Sequence, residues 1–92
     1  MFEVVLDYGQ HAPGEAAALT RLALALDDAG DLRQAIELLE QARALRRGGG
    51  ALEAESLNWL GFAYIHTGEY ARALTSLQQG LPLARAAGHK AL

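Results

Sequence analysis

The side chains in this sequence that could do chemistry are few and widely separated. Three histidines, His11, His66 and His89, fall on different predicted elements, which disfavours a shared metal site. Asp27 and Asp28 are adjacent, and neighbouring residues of a helix point in different directions. They are therefore poorly placed to work as a carboxylate pair in acid–base catalysis. These residues predict neither a metal centre nor an acid–base site.

The run Gly48–Gly50 has the glycine content of a phosphate-binding loop but not its polar residues. Ala51 and Leu52 follow it, where such a loop requires Lys and then Ser or Thr. Elsewhere, Ser56 and Ser76 lack the flanking glycines that place a nucleophilic serine on a sharp turn. The glycine run is interpreted as a linker, and the sequence predicts no catalytic residue and no cofactor.

Composition narrows the class of protein further. The chain has 92 residues, of which 51% are hydrophobic, enough for one small core. Its net charge of −3 argues against nucleic acid as a partner, because that affinity depends on neutralising phosphates. No apolar run approaches the roughly 18 residues of a membrane span. With no cysteine there is no disulfide framework, so a cytoplasmic location is expected.

The elements that carry these residues repeat along the chain. Two stretches have the same pattern of large and small residues at an offset of 38, which is typical of stacked helical hairpins. The first stretch comprises Leu19, Leu22, Ala23, Leu26, Gly30, Ala35, Leu39 and Ala42, and the second Leu57, Leu60, Gly61, Tyr64, Gly68, Ala73, Leu77 and Gly80.

Apolar residues at steps of three and four predict four helices, over 15–28, 31–47, 51–67 and 69–87. Gly30 and Gly68 are expected to end the first and third in a left-handed turn. Asp31 is expected to cap the second helix in a capping box with Gln34. Pro82 predicts a bend in the fourth helix, which then continues.

The two units resemble tetratricopeptide repeats on the strength of these large, small and glycine positions. The resemblance implies an all-α fold of antiparallel helical hairpins, stacked as a short right-handed solenoid. It assigns 16–49 and 54–87 to two repeats, 1–13 to a partial preceding helix and turn, and 88–92 to a tail. The period of 38 exceeds the usual 34 of the family, and it is similar to the longer repeats of bacterial regulators and signalling ATPases.

For function, the resemblance implies a protein-interaction module that binds a peptide or partner helix on a concave wall. The positions that it assigns to the wall are Thr20, Leu24, Asp27, Asn58, Trp59, Phe62, Ile65 and His66. The Lys, Asn and Arg clamp that some relatives use for a peptide carboxylate is missing. Trp59 and Phe62 could instead pack in the core, as aromatic residues at helical spacing usually do. An alternative is a ligand-sensing or oligomerisation segment of a larger bacterial regulator, with a small molecule held near Trp59.

Two further features suggest contacts with neighbours. Leu74, Leu77 and Leu81 form a stripe on the fourth helix, and no polar capping segment is recognised after residue 88. The stripe predicts either further repeats in a longer array or self-association. The arginine cluster Arg43, Arg46 and Arg47 is interpreted as compensating the carboxyl-end dipole of the second helix, or as meeting an acidic partner.

Overall fold

A computed structural model describes residues 13–88, which form four α-helices and no strand. They are α1 (Pro13–Asp28), α2 (Leu32–Leu45), α3 (Ala51–Thr67) and α4 (Tyr70–Ala86). The all-α prediction is confirmed, and the helix limits agree with the sequence to within about two residues. The predicted N-terminal helix and turn lie outside the described residues, except for Pro13, which begins α1. Most of the predicted tail, 89–92, also lies outside them.

The turns inside the two hairpins are built identically, as the offset of 38 predicted. Gly30 follows α1 at φ +90° and Gly68 follows α3 at φ +83°, the left-handed region that favours glycine. In both turns the amide of the residue after the glycine donates to the carbonyl five residues earlier, over 2.8 Å. This pattern satisfies a carbonyl at the end of the helix. Both helix stops are confirmed.

The predicted capping box at the start of α2 is wrong. The Asp31 side chain makes no capping hydrogen bond. Its backbone lies at φ −91°, ψ 71°, away from the extended conformation that aims an N-cap side chain at the free amides. The helix begins instead with the Ala35 amide donating to the Asp31 carbonyl at 3.1 Å.

The helices pack in sequence order, α1 on α2, α2 on α3 and α3 on α4, so the second hairpin stacks on the first through α2 and α3. Small residues lie where helices approach, since Ala23 and Ala35 are fully buried. The core cluster comprises Ala23, Ala35, Leu39, Leu60, Ala63, Tyr64 and Ala73. The fourth helix continues through Pro82 to Ala86, as predicted, while the bend at the proline stays a prediction.

The joint between the hairpins is held by charged side chains. The carboxylate of Glu53, near the start of α3, is almost buried and accepts hydrogen bonds from the Gly48 amide (2.9 Å) and from Arg43 Nε (3.3 Å). Arg46 Nη1 donates to Ser56 Oγ at 3.2 Å. Two arginines of the cluster therefore meet polar and acidic groups of this same chain, across the contact between α2 and α3.

Candidate partner-binding surface

An apolar stripe runs along the exposed side of α3 and comprises Trp59, Phe62 and Ile65. These residues follow one another at steps of three, so they share one side of the helix. Phe62 is 52% exposed and Ile65 is 40% exposed. Exposed large apolar side chains gathered on one side of a helix are typical of an interaction surface.

Trp59 takes part in both the stripe and the core, which the sequence left as alternatives. It is half-buried and packs against the core cluster. Its ring also meets that of Phe62 edge to face, with centroids 5.8 Å apart and planes at 60°. This is a favourable aromatic arrangement. Trp59 therefore lies between the core cluster and the exposed Phe62, and part of its own surface stays accessible to solvent.

The remaining predicted wall positions differ in exposure. Asn58 is exposed beside the stripe, and Leu24 on α1 is half-buried. Thr20 is buried, and its hydroxyl donates to the Ala16 carbonyl at 2.8 Å. A threonine that bonds the carbonyl four residues back satisfies its hydroxyl within the helix and tolerates burial. The prediction of Thr20 as an open wall position is therefore corrected.

Asp27 and His66 lie together at one end of the wall. Nδ1 of His66 is 3.0 Å from both carboxylate oxygens of Asp27, so it donates to them when it carries a proton. The Asp27 side chain is largely buried, whereas that of His66 is about half exposed. The pair connects the end of α1 to the end of α3, which links the two repeats on the same wall.

A polar groove of about 920 Å³ opens on α2 and on the turn between α3 and α4. Its lining carries four carboxylates and two guanidiniums, together with the side chains of Ile36, Tyr64, His66 and Thr67. The charged residues are Asp31, Glu37, Glu40, Glu69, Arg33 and Arg72. Trp59 is not part of this groove, nor of a smaller one of about 280 Å³ beside Tyr64.

The side chain of Tyr64 is buried beside this groove, where it meets Glu40 and Arg72. Its hydroxyl donates to Glu40 Oε2 at 2.7 Å, and the guanidinium carbon of Arg72 lies 6.0 Å from its ring centroid. Burial raises the pKa of Tyr64, the hydrogen bond and negative charge of Glu40 raise it further, and Arg72 opposes them. Sequence reasoning missed this group. The available signal was Tyr64 itself, because a phenol stands where the first repeat has Leu26.

The predicted leucine stripe of α4 is interrupted in the structure. Leu74 is 57% exposed and Leu81 is 50% exposed. Leu77 is half-buried and lies against Gly61 of α3, so closely that a Cβ at Gly61 would be 2.6 Å from its Cγ. Because Gly61 has no side chain, Leu77 can pack into the hairpin against it. The outer surface of α4 therefore presents Leu74 and Leu81 without Leu77.

Within residues 13–88, no group of three or more His, Asp or Glu side chains is arranged to hold a metal ion. Of the three histidines, His11 and His89 lie outside this range. None of the four helices is both long and apolar enough to cross a membrane.

A family model described as "Tetratricopeptide repeat" matches residues 28–92, well over half of the chain. No curated protein and no solved structure is significantly similar to it.

Proposed function

Since the chain belongs to the tetratricopeptide repeat family, whose repeats generally mediate protein–protein interaction, we propose that it binds a peptide or a partner helix on the apolar stripe of α3. The observation that carries the proposal is the exposure of Phe62 and Ile65 next to a half-buried Trp59. Aromatic residues supported by a packed neighbour are frequent binding hot spots. The module needs no chemistry of its own.

The surroundings of the stripe favour an apolar ligand with polar ends. Asn58 offers an amide beside the stripe, and the Asp27–His66 pair closes one end of the wall with groups already bonded to each other. A partner that lays apolar side chains on Phe62 and Ile65 would use the groove-binding mode in which anchors recur at helical spacing.

The alternative of a small-molecule sensor places its ligand near Trp59. Neither groove described above includes Trp59, and the larger is lined mainly by charged side chains. An open polar groove differs from the enclosed, mostly apolar pocket that small ligands usually occupy. We therefore favour the interaction module over the ligand-sensing segment of a larger bacterial regulator.

A second interaction surface is proposed on α4, for self-association or for a flanking repeat. Leu74 and Leu81 carry it, whereas the half-buried Leu77 supports it from inside the hairpin. Two exposed leucines on one side of a helix are a feature that solenoid repeats usually cover with a neighbour.

The stripe can be tested with a display library of helical peptides selected against the whole chain. Selected peptides should change the emission of Trp59, the only tryptophan. Phe62→Ala should weaken their binding by about 2 kcal/mol, roughly 30-fold. Leu74→Ala, at a similarly exposed position on α4, is the matched control and should bind as the unmodified chain does. Peptides that bind Phe62→Ala with full affinity would refute the proposal.

A further inference from the structure

The side of α2 that packs on α3 and the side of α3 that packs on α2 each have an equivalent on another helix, because the two hairpins repeat at an offset of 38. At the offset of 38, α1 is the counterpart of α3, and α4 is the counterpart of α2. α1 and α3 are the first helices of their hairpins, and α2 and α4 are the second. A comparison of burial at equivalent positions therefore shows which residues of α1 and α4 are left open by the described part of the chain, residues 13–88.

The side of α3 that packs on α2 is buried, while the equivalent side of α1 is open. Leu60 is 4% exposed, and its counterpart Leu22 is 53% exposed. The same holds for two smaller residues on this side: Ser56 and Ala63 are buried, and their counterparts Ala18 and Ala25 are exposed. This open side of α1 is called the α1 face: Ala18, Leu22 and Ala25.

The side of α2 that packs on α3 has an open counterpart on α4. Ile36 and Arg43 are half-buried in α2, whereas Leu74 and Leu81 at the equivalent positions of α4 are at least half exposed. The α4 face is accordingly Leu74 and Leu81. Where α2 uses Arg43 to reach Glu53, the α4 face has a leucine and is the more apolar of the two.

One of the two polar pairs across the internal contact is replaced on both open faces, whereas at the other Arg43 has the counterpart Leu81 and Glu53 has the counterpart Glu15. Arg46 donates to Ser56 across the internal contact. Their counterparts are Ala84 on α4 and Ala18 on α1, so both halves of the hydrogen bond become alanine. A donor and an acceptor lost together leave no unsatisfied group when the faces meet. At Ala18 and Ala84 the two faces are thus complementary to each other.

We propose that a second copy of this chain packs its α1 face on the α4 face of the first, in the way that α3 packs on α2. The inference rests on the second interaction surface proposed above and is independent of the α3 stripe. The two faces differ, so the contact is head to tail and leaves one open face on each outer copy. Assemblies therefore grow beyond the dimer as the concentration rises.

The test is the molar mass of the whole chain by light scattering over a range of concentrations. The unmodified chain should increase in mean mass with concentration. Leu22→Glu and Leu81→Glu should each weaken association at least about tenfold, because a charge replaces an apolar contact. Leu52→Glu is the matched control, since it places the same charge at a leucine of α3 that is as exposed as Leu22 (53%) and lies outside both faces; it should assemble as the unmodified chain does.

Mixing the two variants distinguishes this contact from any symmetric one. Leu22→Glu retains an intact α4 face and Leu81→Glu an intact α1 face, so the equimolar mixture should form a dimer that grows no further. Circular dichroism should show all variants equally helical, because the substituted leucines are exposed. A monomeric unmodified chain at every concentration, or a Leu22→Glu variant that still assembles fully, would overturn the inference and leave the stripe proposal intact.

Discussion

The two hairpins follow one plan, yet the inner helix α3 is packed far more completely than the outer helix α1. Leu57 on α3 is 1% exposed, whereas Leu19, the same residue at the same repeat position, is only half-buried. The difference arises because α3 lies between α2 and α4, whereas among the described helices α1 packs principally on α2. Identical side chains thus contribute differently to stability according to their neighbours, as expected for a solenoid.

The largest effect of this difference in packing is expected at these two leucines. Leu57→Ala should lower the free energy of unfolding by about 2–5 kcal/mol, because it leaves a cavity in a fully packed site. Leu19→Ala should cost less than half as much, since that side chain is already partly in water. Denaturant unfolding of both variants measures the difference. Equal losses would show that the outer hairpin is packed as tightly as the inner one.

Two glycines of the second hairpin, Gly61 and Gly80, test how closely α3 and α4 pack. Gly61→Ala should destabilise the chain by about 1–3 kcal/mol, because its new Cβ would lie 2.6 Å from Leu77 Cγ. Gly80→Ala is the comparison in the same hairpin and should cost less than Gly61→Ala. Its Cβ would approach Leu57 Cβ at 3.3 Å and the Ala54 carbonyl oxygen at 3.4 Å, a weaker overlap that the better helix propensity of alanine opposes. Thermal unfolding should rank the two accordingly; the reverse order would contradict the packing of Leu77 on Gly61.

A further difference between the repeats is the hydroxyl of Tyr64, because the first repeat has Leu26 at the equivalent position. Tyr64→Phe should cost about 0.5–1.5 kcal/mol near neutral pH through loss of the hydrogen bond to Glu40. The folded pKa of Tyr64 is raised above its ordinary value of 10.0, so folding disfavours the phenolate. Stability from the neutral phenol is therefore complete below pH 10.0 and is lost as pH rises through the folded pKa.

The corresponding measurement is unfolding of the unmodified chain and of Tyr64→Phe from neutral to alkaline pH. The variant should lose less stability than the unmodified chain above the ordinary tyrosine pKa. Parallel curves would show that this phenol titrates alike in the folded and unfolded chain.

The smallest effect is expected at the link between the repeats on the wall. A double-mutant cycle of Asp27→Ala and His66→Ala should give a coupling of about 0.2–1 kcal/mol, because the His66 side chain is about half exposed to solvent. A coupling of zero would mean that this pair adds nothing to the connection that α2 and α3 make between the repeats.

The sequence predicted the fold well because each helix signal is local and occurs twice. The apolar steps, Gly30 and Gly68 determine helix limits without knowledge of the partner. The capping box failed because a side-chain cap depends on a backbone angle that the preceding glycine turn imposes on Asp31. A spacing pattern contains no information on that angle.

The candidate site was predictable only in part, because it depends on contacts between helices. Steps of three placed Trp59, Phe62 and Ile65 on one side, and their placement on one exposed side of α3 agrees with the pattern. The burial of Thr20 and the inward position of Leu77 depend on which neighbour covers each helix. Asp27 and His66, 39 residues apart, are near one repeat period, and that spacing was a usable signal for their contact.

The carboxylate of Glu53 has a consequence for the shape of any longer assembly. It holds the amide of Gly48, in the joint where one hairpin passes to the next, and the guanidinium of Arg43. The small rotation from repeat to repeat sets the pitch of a solenoid. A change in the length of this one buried side chain would therefore change the angle between the two hairpins. In a stack of copies, these small changes of angle would add up to a different curvature.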